Sequence, residues 1–212
     1  MAKLDYKRYY RRNLPHIQPE GATFFITSRL ADSLPAEVAQ RLREELQKIY
    51  AALGELPQGS PEWEQKYLAL RRHFGKWDQL LDRADYGPTW LADPRIAKLV
   101  ADAFHHWDGQ KYDLESYTIM PNHFHLEITP LQKEDGVYHA ISSIMHSVKS
   151  YTASEANKLL NRPGSFWQEE NYDHYIRNPA EQQRITNYIL NNPIDGRLVK
   201  AWYDHPWTHC KE

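Results

Sequence analysis

The stretch YTIMPNHFHLEITP, residues 117–130, sets two histidines one residue apart inside an otherwise apolar run. Strand side chains alternate, so His123 and His125 point to one face and Phe124 to the other. Apolar neighbours suggest a buried strand, in which two unpartnered imidazoles would be costly. Neutral imidazole is a good ligand for divalent metals, and a shared ion would remove that cost. The plainer reading of the spacing alone is partly exposed polar decoration.

The chain around this stretch alternates strand and helix patterns. Residues 111–130 read as two strands, KYDLESYTIM and HFHLEIT, joined by a tight PN turn. GATFFITSRL (21–30) reads as a first strand, and LPAEVAQRLREELQKIYAAL after it as an amphipathic helix. PEWEQKYLALRRHFGKWDQLLDRA is strongly helical, and DPRIAKLVADAFHHWDG is a helix with Asp93 as N-cap and Pro94 at its first position. GVYHAISSIMHSVKSYTASEANKLL is a long helix, and a short strand is expected near His174–Ile176. The last helix, PAEQQRITNYILNN, is expected to open at Pro179 and end at Pro193. The aromatic tail WYDHPWTHCKE is expected to pack on the body. The pattern predicts an α+β fold: a small antiparallel sheet flanked by helices, in a single domain over 1–212.

Composition narrows the classes. No apolar run approaches the ~20 residues of a membrane helix, and the basic start MAKLDYKRYYRRN lacks the apolar core of a signal peptide. Cys210 is the one cysteine, which excludes an internal disulfide and a cysteine-rich metal site. A cytoplasmic protein with no membrane partner is expected. The net charge of −2 argues against a general nucleic-acid binder. Charge is uneven, however: Lys3, Lys7, Arg8, Arg11, Arg12 and Arg29 face only Asp5 and Glu20 in residues 1–30.

YTIMPNHFHLEI resembles the His-hydrophobic-His strand of the HUH endonucleases, in particular the single-tyrosine transposases and the related REP-associated tyrosine transposases. FWQEENYDHYIRNPAEQQRITNYILNNPIDGRLV is similar to the C-terminal block of that family, and RRNLPHIQPEGATFFITSRL to its first strand. Together these stretches span about two-thirds of the chain; residues 55–90 depart from the family core and read as a helical insertion. The resemblance implies a ferredoxin/RRM-like palm and metal-dependent cleavage and rejoining of single-stranded DNA. Hairpin (REP-like) elements would lie beside the cut, and the transposase kind often forms homodimers.

Under the resemblance, Tyr188 corresponds to the catalytic tyrosine and Asn192, four residues on, to a third metal ligand beside His123 and His125. Without it, Tyr188 is a helix-face aromatic and Asn192 a helix-ending residue. The implied step is attack by Tyr188 on a phosphodiester, giving a 5′-phosphotyrosine and a free 3′-hydroxyl. Mixed nitrogen and oxygen ligands suit Mg²⁺ or Mn²⁺, and imidazoles also accept Zn²⁺. Tyr172 and Tyr175 rank second as nucleophiles. His174 reads as a supporting group, a DNA contact or a structural hydrogen bond. Glu127, on the strand face of the histidines, reads as a supporting carboxylate, a base for Tyr188 or a surface residue. Arg8, Arg11 and Arg12, interleaved with Tyr9 and Tyr10, are expected to touch DNA, as are Lys149 and Arg177. The insertion is expected to be a plain amphipathic element, with Arg71, Arg72, Lys76 and Arg83 wet and Leu68, Leu70, Leu80 and Leu81 dry.

Overall fold

The histidine strand is the middle strand of a five-stranded antiparallel sheet. The structure is a computed structural model that describes residues 9–11, 15–57, 60–82 and 85–211. Among these, the elements run β1 (Tyr9–Arg11), β2 (Pro15–Ile17), β3 (Phe24–Arg29), α1 (Ala36–Gly54), α2 (Pro61–Asp82) and α3 (Pro94–His106). They continue with β4 (Tyr112–Ile119), β5 (His123–Pro130), α4 (Ile141–Leu159), β6 (Tyr172–Tyr175), α5 (Pro179–Asp195) and β7 (Thr208–Cys210). β1 and β2 pair with each other, and the main sheet runs β6-β3-β5-β4-β7. The fold is α+β, as the sequence pattern predicts. The aromatic tail goes further than packing on the body: β7 pairs with β4 as an edge strand.

One face of the sheet is apolar. Phe24, Ile26, Phe124, Leu126 and Ile128 pack with Ile96, Val100 and Phe104 of α3 and Ile141 and Ile144 of α4. Each such fully buried side chain gains about 1.5–3 kcal/mol over its exposed state. The opposite face carries Thr27, Arg29, His123, His125 and Glu127, and it is buried as well. Its cover comes from α5, where the Tyr188 ring lies 5.3 Å from that of His125, and from the C-terminal end of α2.

The insertion contributes one helix, α2, which packs against α1. Leu46 and Leu53 of α1 pack against Trp63, Tyr67 and Leu70 of α2, while Leu81 joins Leu34, Ala39 and Leu42. Leu70 and Leu81 are dry as expected, but Leu68 is exposed. Two residues on a helix turn about 200°, so Leu68 and Leu70 cannot share a face.

Helix α5 does not end at Pro193; it continues to Asp195 with Pro193 buried inside it. Proline removes one donor, and here the loss falls in the last turn. The turn closes instead through Gly196, whose N–H donates to the Asn192 carbonyl at 2.8 Å. A Cβ at Gly196 would lie 2.7 Å from the Met120 methyl and 3.2 Å from the Asn192 carbonyl oxygen, so α5 ends close against the turn that precedes the histidines. Asn192 therefore stays helical, one turn beyond Tyr188.

Candidate metal centre and tyrosine site

The turn residue Asn122 orients the first histidine. Its Oδ1 lies 2.7 Å from His123 Nδ1. An amide oxygen only accepts, so Nδ1 carries the proton and Nε2 keeps its lone pair. The Asn122 amide also donates to the Leu81 carbonyl at 2.9 Å, which ties the end of α2 to the same turn. On β3, Thr27 stands opposite His125 in register, and its Oγ1 lies 2.9 Å from His125 Nδ1. Both Nδ1 atoms are thus engaged, and the two Nε2 atoms face each other at 3.2 Å. Burial pushes His123 down to about 3. Burial, then repulsion from His123, holds His125 well below the ordinary imidazole range. Both rings are neutral at pH 7, as metal ligands must be.

A carboxylate from the insertion completes the cluster. Asp82 Oδ1 lies 3.5 Å from His123 Nε2, and one ligand atom from each of Asp82, His123 and His125 falls within 4.8 Å of the others. Burial raises Asp82 to about 6, with Asp195 adding repulsion and the Asn192 hydrogen bond opposing. One turn earlier, burial raises Asp78 to about 7, opposed by a hydrogen bond from Tyr188 and reinforced by Asp82. The last turn of α2 has no basic residue, and carboxylates there oppose the helix dipole. A buried and a half-buried carboxylate at the wrong end of a helix favour a cation beside them.

Helix α5 supplies the other half. The half-buried Tyr188 donates its hydroxyl to Asp78 Oδ2 at 3.0 Å. Burial, with Asp78 and Asp82 adding to it, raises this phenol above its ordinary range. Asn192 donates through Nδ2 to Asp82 Oδ1 at 3.1 Å and to the Tyr188 oxygen at 3.4 Å. Its Oδ1 is buried with no hydrogen-bond partner among the described residues. Rotating the amide would turn that oxygen toward Asp82, where a cation between them would satisfy both oxygens. Two imidazole nitrogens, a carboxylate and an orphaned amide oxygen are a donor set that fits a divalent metal. The adjoining cleft, about 730 Å³, is lined by Asp78, Asp82, Asp85, Tyr188, Asp195 and Arg197 among others. Such acidic walls repel a phosphate until a cation is present.

The fold therefore brings together His123, His125, Tyr188 and Asn192. Glu127 is not at the surface: it is fully buried and accepts from Ser116 at 2.7 Å and Thr186 at 2.9 Å, which fastens α5 to the sheet. His174 lies in a separate network, with Tyr67 Oη 2.7 Å from Nδ1 and Glu181 Oε1 3.3 Å from Nε2. Arg177 lies over the Tyr67 ring at 4.0 Å and bonds Glu64 at 3.2 Å. Lys149 donates to the carbonyls of Gln168 and Glu169 at 2.6 and 2.9 Å. Arg8, Arg12 and Arg83 lie outside the described residues, as do the side chains of Arg11 and Arg71.

Asp78, Asp82, Asn122 and Thr27 were not foreseen. The carboxylates carried a signal in WDQLLD: two acids four apart share a helix face, and they sit where a helix disfavours acids.

An antiparallel α+β sheet with two strand histidines facing a tyrosine helix is the class that the structure defines. The chain is similar to the solved structure of a REP-associated tyrosine transposase bound to a REP hairpin, with TM-score 0.50 and 16% identity over 94% of this chain and 80% of that one. That likeness shows the fold. No protein-family model matches the sequence, and no curated protein matches it.

Proposed function

We propose that the chain is a metal-dependent single-stranded DNA endonuclease and strand transferase, related to the REP-associated tyrosine transposases, that cuts beside hairpins through Tyr188. The observation carrying this reading is the convergence of the Tyr188 hydroxyl, the paired Nε2 atoms and Asp82 at one end of the sheet. His123, His125 and Asp82, with Asn192, would hold Mg²⁺ or Mn²⁺. When bound, the ion neutralises charge on the scissile phosphate.

This chain's own groups then account for the proton. Tyr188 Oη forms a bond to phosphorus while the bond from phosphorus to the 3′-oxygen breaks. The phenolic proton passes to Asp78, which already accepts it in a hydrogen bond, and the departing 3′-oxygen is protonated by solvent. The products are a 5′-phosphotyrosine and a 3′-hydroxyl. Reversal with another 3′-hydroxyl joins new strands without ATP.

A second reading is a hairpin-binding protein that does not cut. It is favoured by the two carboxylates that hold the Tyr188 hydroxyl protonated. Labelled single-stranded hairpins incubated with protein and Mn²⁺ separate the two. The proposed enzyme leaves label on the protein in SDS, and Tyr188→Phe leaves none; binding without label or cutting supports the second reading.

A further inference from the structure

Beside the tyrosine cleft, sharing Asp78 as a wall, lies a second cavity of about 130 Å³. Arg29 and Arg43 line it with Trp77 and Tyr172. Arg29 ends β3 directly opposite His123 in register. It is 8% exposed, and its one side-chain hydrogen bond among the described residues runs from Nη1 to Ser33 Oγ at 3.1 Å. Its guanidinium lies 5.4 Å from the centre of the Trp77 ring. No carboxylate among the described residues lies within ion-pair distance of Arg29 or Arg43. Arg43 is half-buried and donates Nε to the Ala39 carbonyl at 3.2 Å, a bond within its own helix.

A buried guanidinium without a carboxylate is costly, and a second cation nearby raises the cost. Burial, then Arg43, lowers Arg29 to about 10, with Asp32 partly opposing. At neutral pH the charge remains. Glu169 and Glu170 also line the cavity, on the 166–171 loop that bounds it; Glu169 is exposed and Glu170 half-buried. Neither pairs with Arg29.

We propose that this cavity binds a phosphodiester group of the single strand, next to the one presented to Tyr188. Arginine's fork matches two phosphate oxygens. The shared Asp78 wall makes the two sites neighbours along one strand. The inference rests on the DNA reading above but does not require that the strand be cut.

The test uses Tyr188→Phe protein, to exclude cutting, and a hairpin oligonucleotide whose phosphates are replaced singly by neutral methylphosphonate around the expected cut. One position should weaken binding by about 10- to 100-fold, the size expected for a hydrogen-bonded charge. Adding Arg29→Met should abolish that sensitivity at the same position, and Arg43→Gln should reduce it. Arg29→Met should also melt no lower than its parent, because it removes an unpaired buried charge. Equal sensitivity with and without Arg29 overturns the inference and leaves cutting by Tyr188 untouched. Inorganic phosphate binding that depends on Arg29, with no sensitive position in the strand, assigns the cavity to free phosphate and overturns the strand contact. Failure to bind any single strand overturns both proposals.

Discussion

The hydroxyl of Tyr188 and the carboxylate of Asp78 are joined by a 3.0 Å hydrogen bond across 110 positions of sequence. One comes from the last helix and the other from the helical insertion. The insertion is thereby part of the candidate site, and the contact has consequences for both activity and stability.

Asp78→Asn keeps the shape of the side chain but cannot take up a proton at neutral pH. Formation of the protein–DNA adduct should slow by about 10²- to 10⁴-fold, the range for loss of a general base, while metal binding persists. Single-turnover adduct formation checks the rate, and Mn²⁺ titration checks the metal.

The same carboxylate should make the metal-free protein less stable as pH rises. Burial first, and then Asp82, lifts Asp78 from 3.8 to about 7. The folded state therefore holds a proton that the unfolded chain releases. That contribution is complete below about 4 and disappears as pH climbs through about 7. Denaturant midpoints measured with chelator present should fall across this window more steeply in wild type than in Asp78→Asn.

Metal should stabilise the fold through residues from three elements. At a hundredfold excess over its dissociation constant, Mn²⁺ should add about 2.7 kcal/mol to unfolding. Calorimetry should show that gain lost in His123→Ala, His125→Ala and Asp82→Asn. A full gain in Asp82→Asn would remove the insertion from the metal centre.

Asn122→Ala should weaken metal binding without removing a ligand. It deletes the partner of His123 Nδ1 and the link to Leu81. Loss of such an orienting partner lowers metal affinity by about 10- to 100-fold. Thr27→Val should act in the same direction through His125. Isothermal titration of both variants measures the effect.

Glu181 predicts a pH response of opposite sign. Burial alone would raise its carboxyl; the His174 hydrogen bond, the Arg177 N–H and the charges of those residues outweigh burial and bring it down to about 2. Its stabilisation is present above about 4.5 and is lost as pH falls toward 2. Glu181→Gln should cost about 3–5 kcal/mol at pH 7, the range for breaking a buried pair. The gap from wild type should narrow in acid, as urea unfolding at pH 7 and pH 3 would reveal.

Much of this arrangement was legible in the sequence. Period-two alternation put His123 and His125 on one strand face, and the four-residue spacing put Tyr188 and Asn192 on one helix face. Both are local regularities. What the pattern could not convey was contact between distant segments. Asp78 and Asp82 share a helix face in WDQLLD, but what they meet appears only when α2 is laid over the histidines. The partners of Arg177 and Lys149, the Glu64 carboxylate and the carbonyls of Gln168 and Glu169, come from distant segments. Glu127 looked like the wet end of a strand because nothing local shows that Ser116 and Thr186 close over it. Pro193 read as a stop, yet the turn at Gly196 lets the helix carry Asn192 to the site.

The most direct measurement is to digest the protein after reaction with a hairpin strand and Mn²⁺, and to locate the attached nucleotide by mass spectrometry. Attachment at Tyr188, absent from Tyr188→Phe and from chelated samples, is the predicted result. Attachment at Tyr172 or Tyr175, or cutting that leaves no nucleotide on the protein, would contradict it.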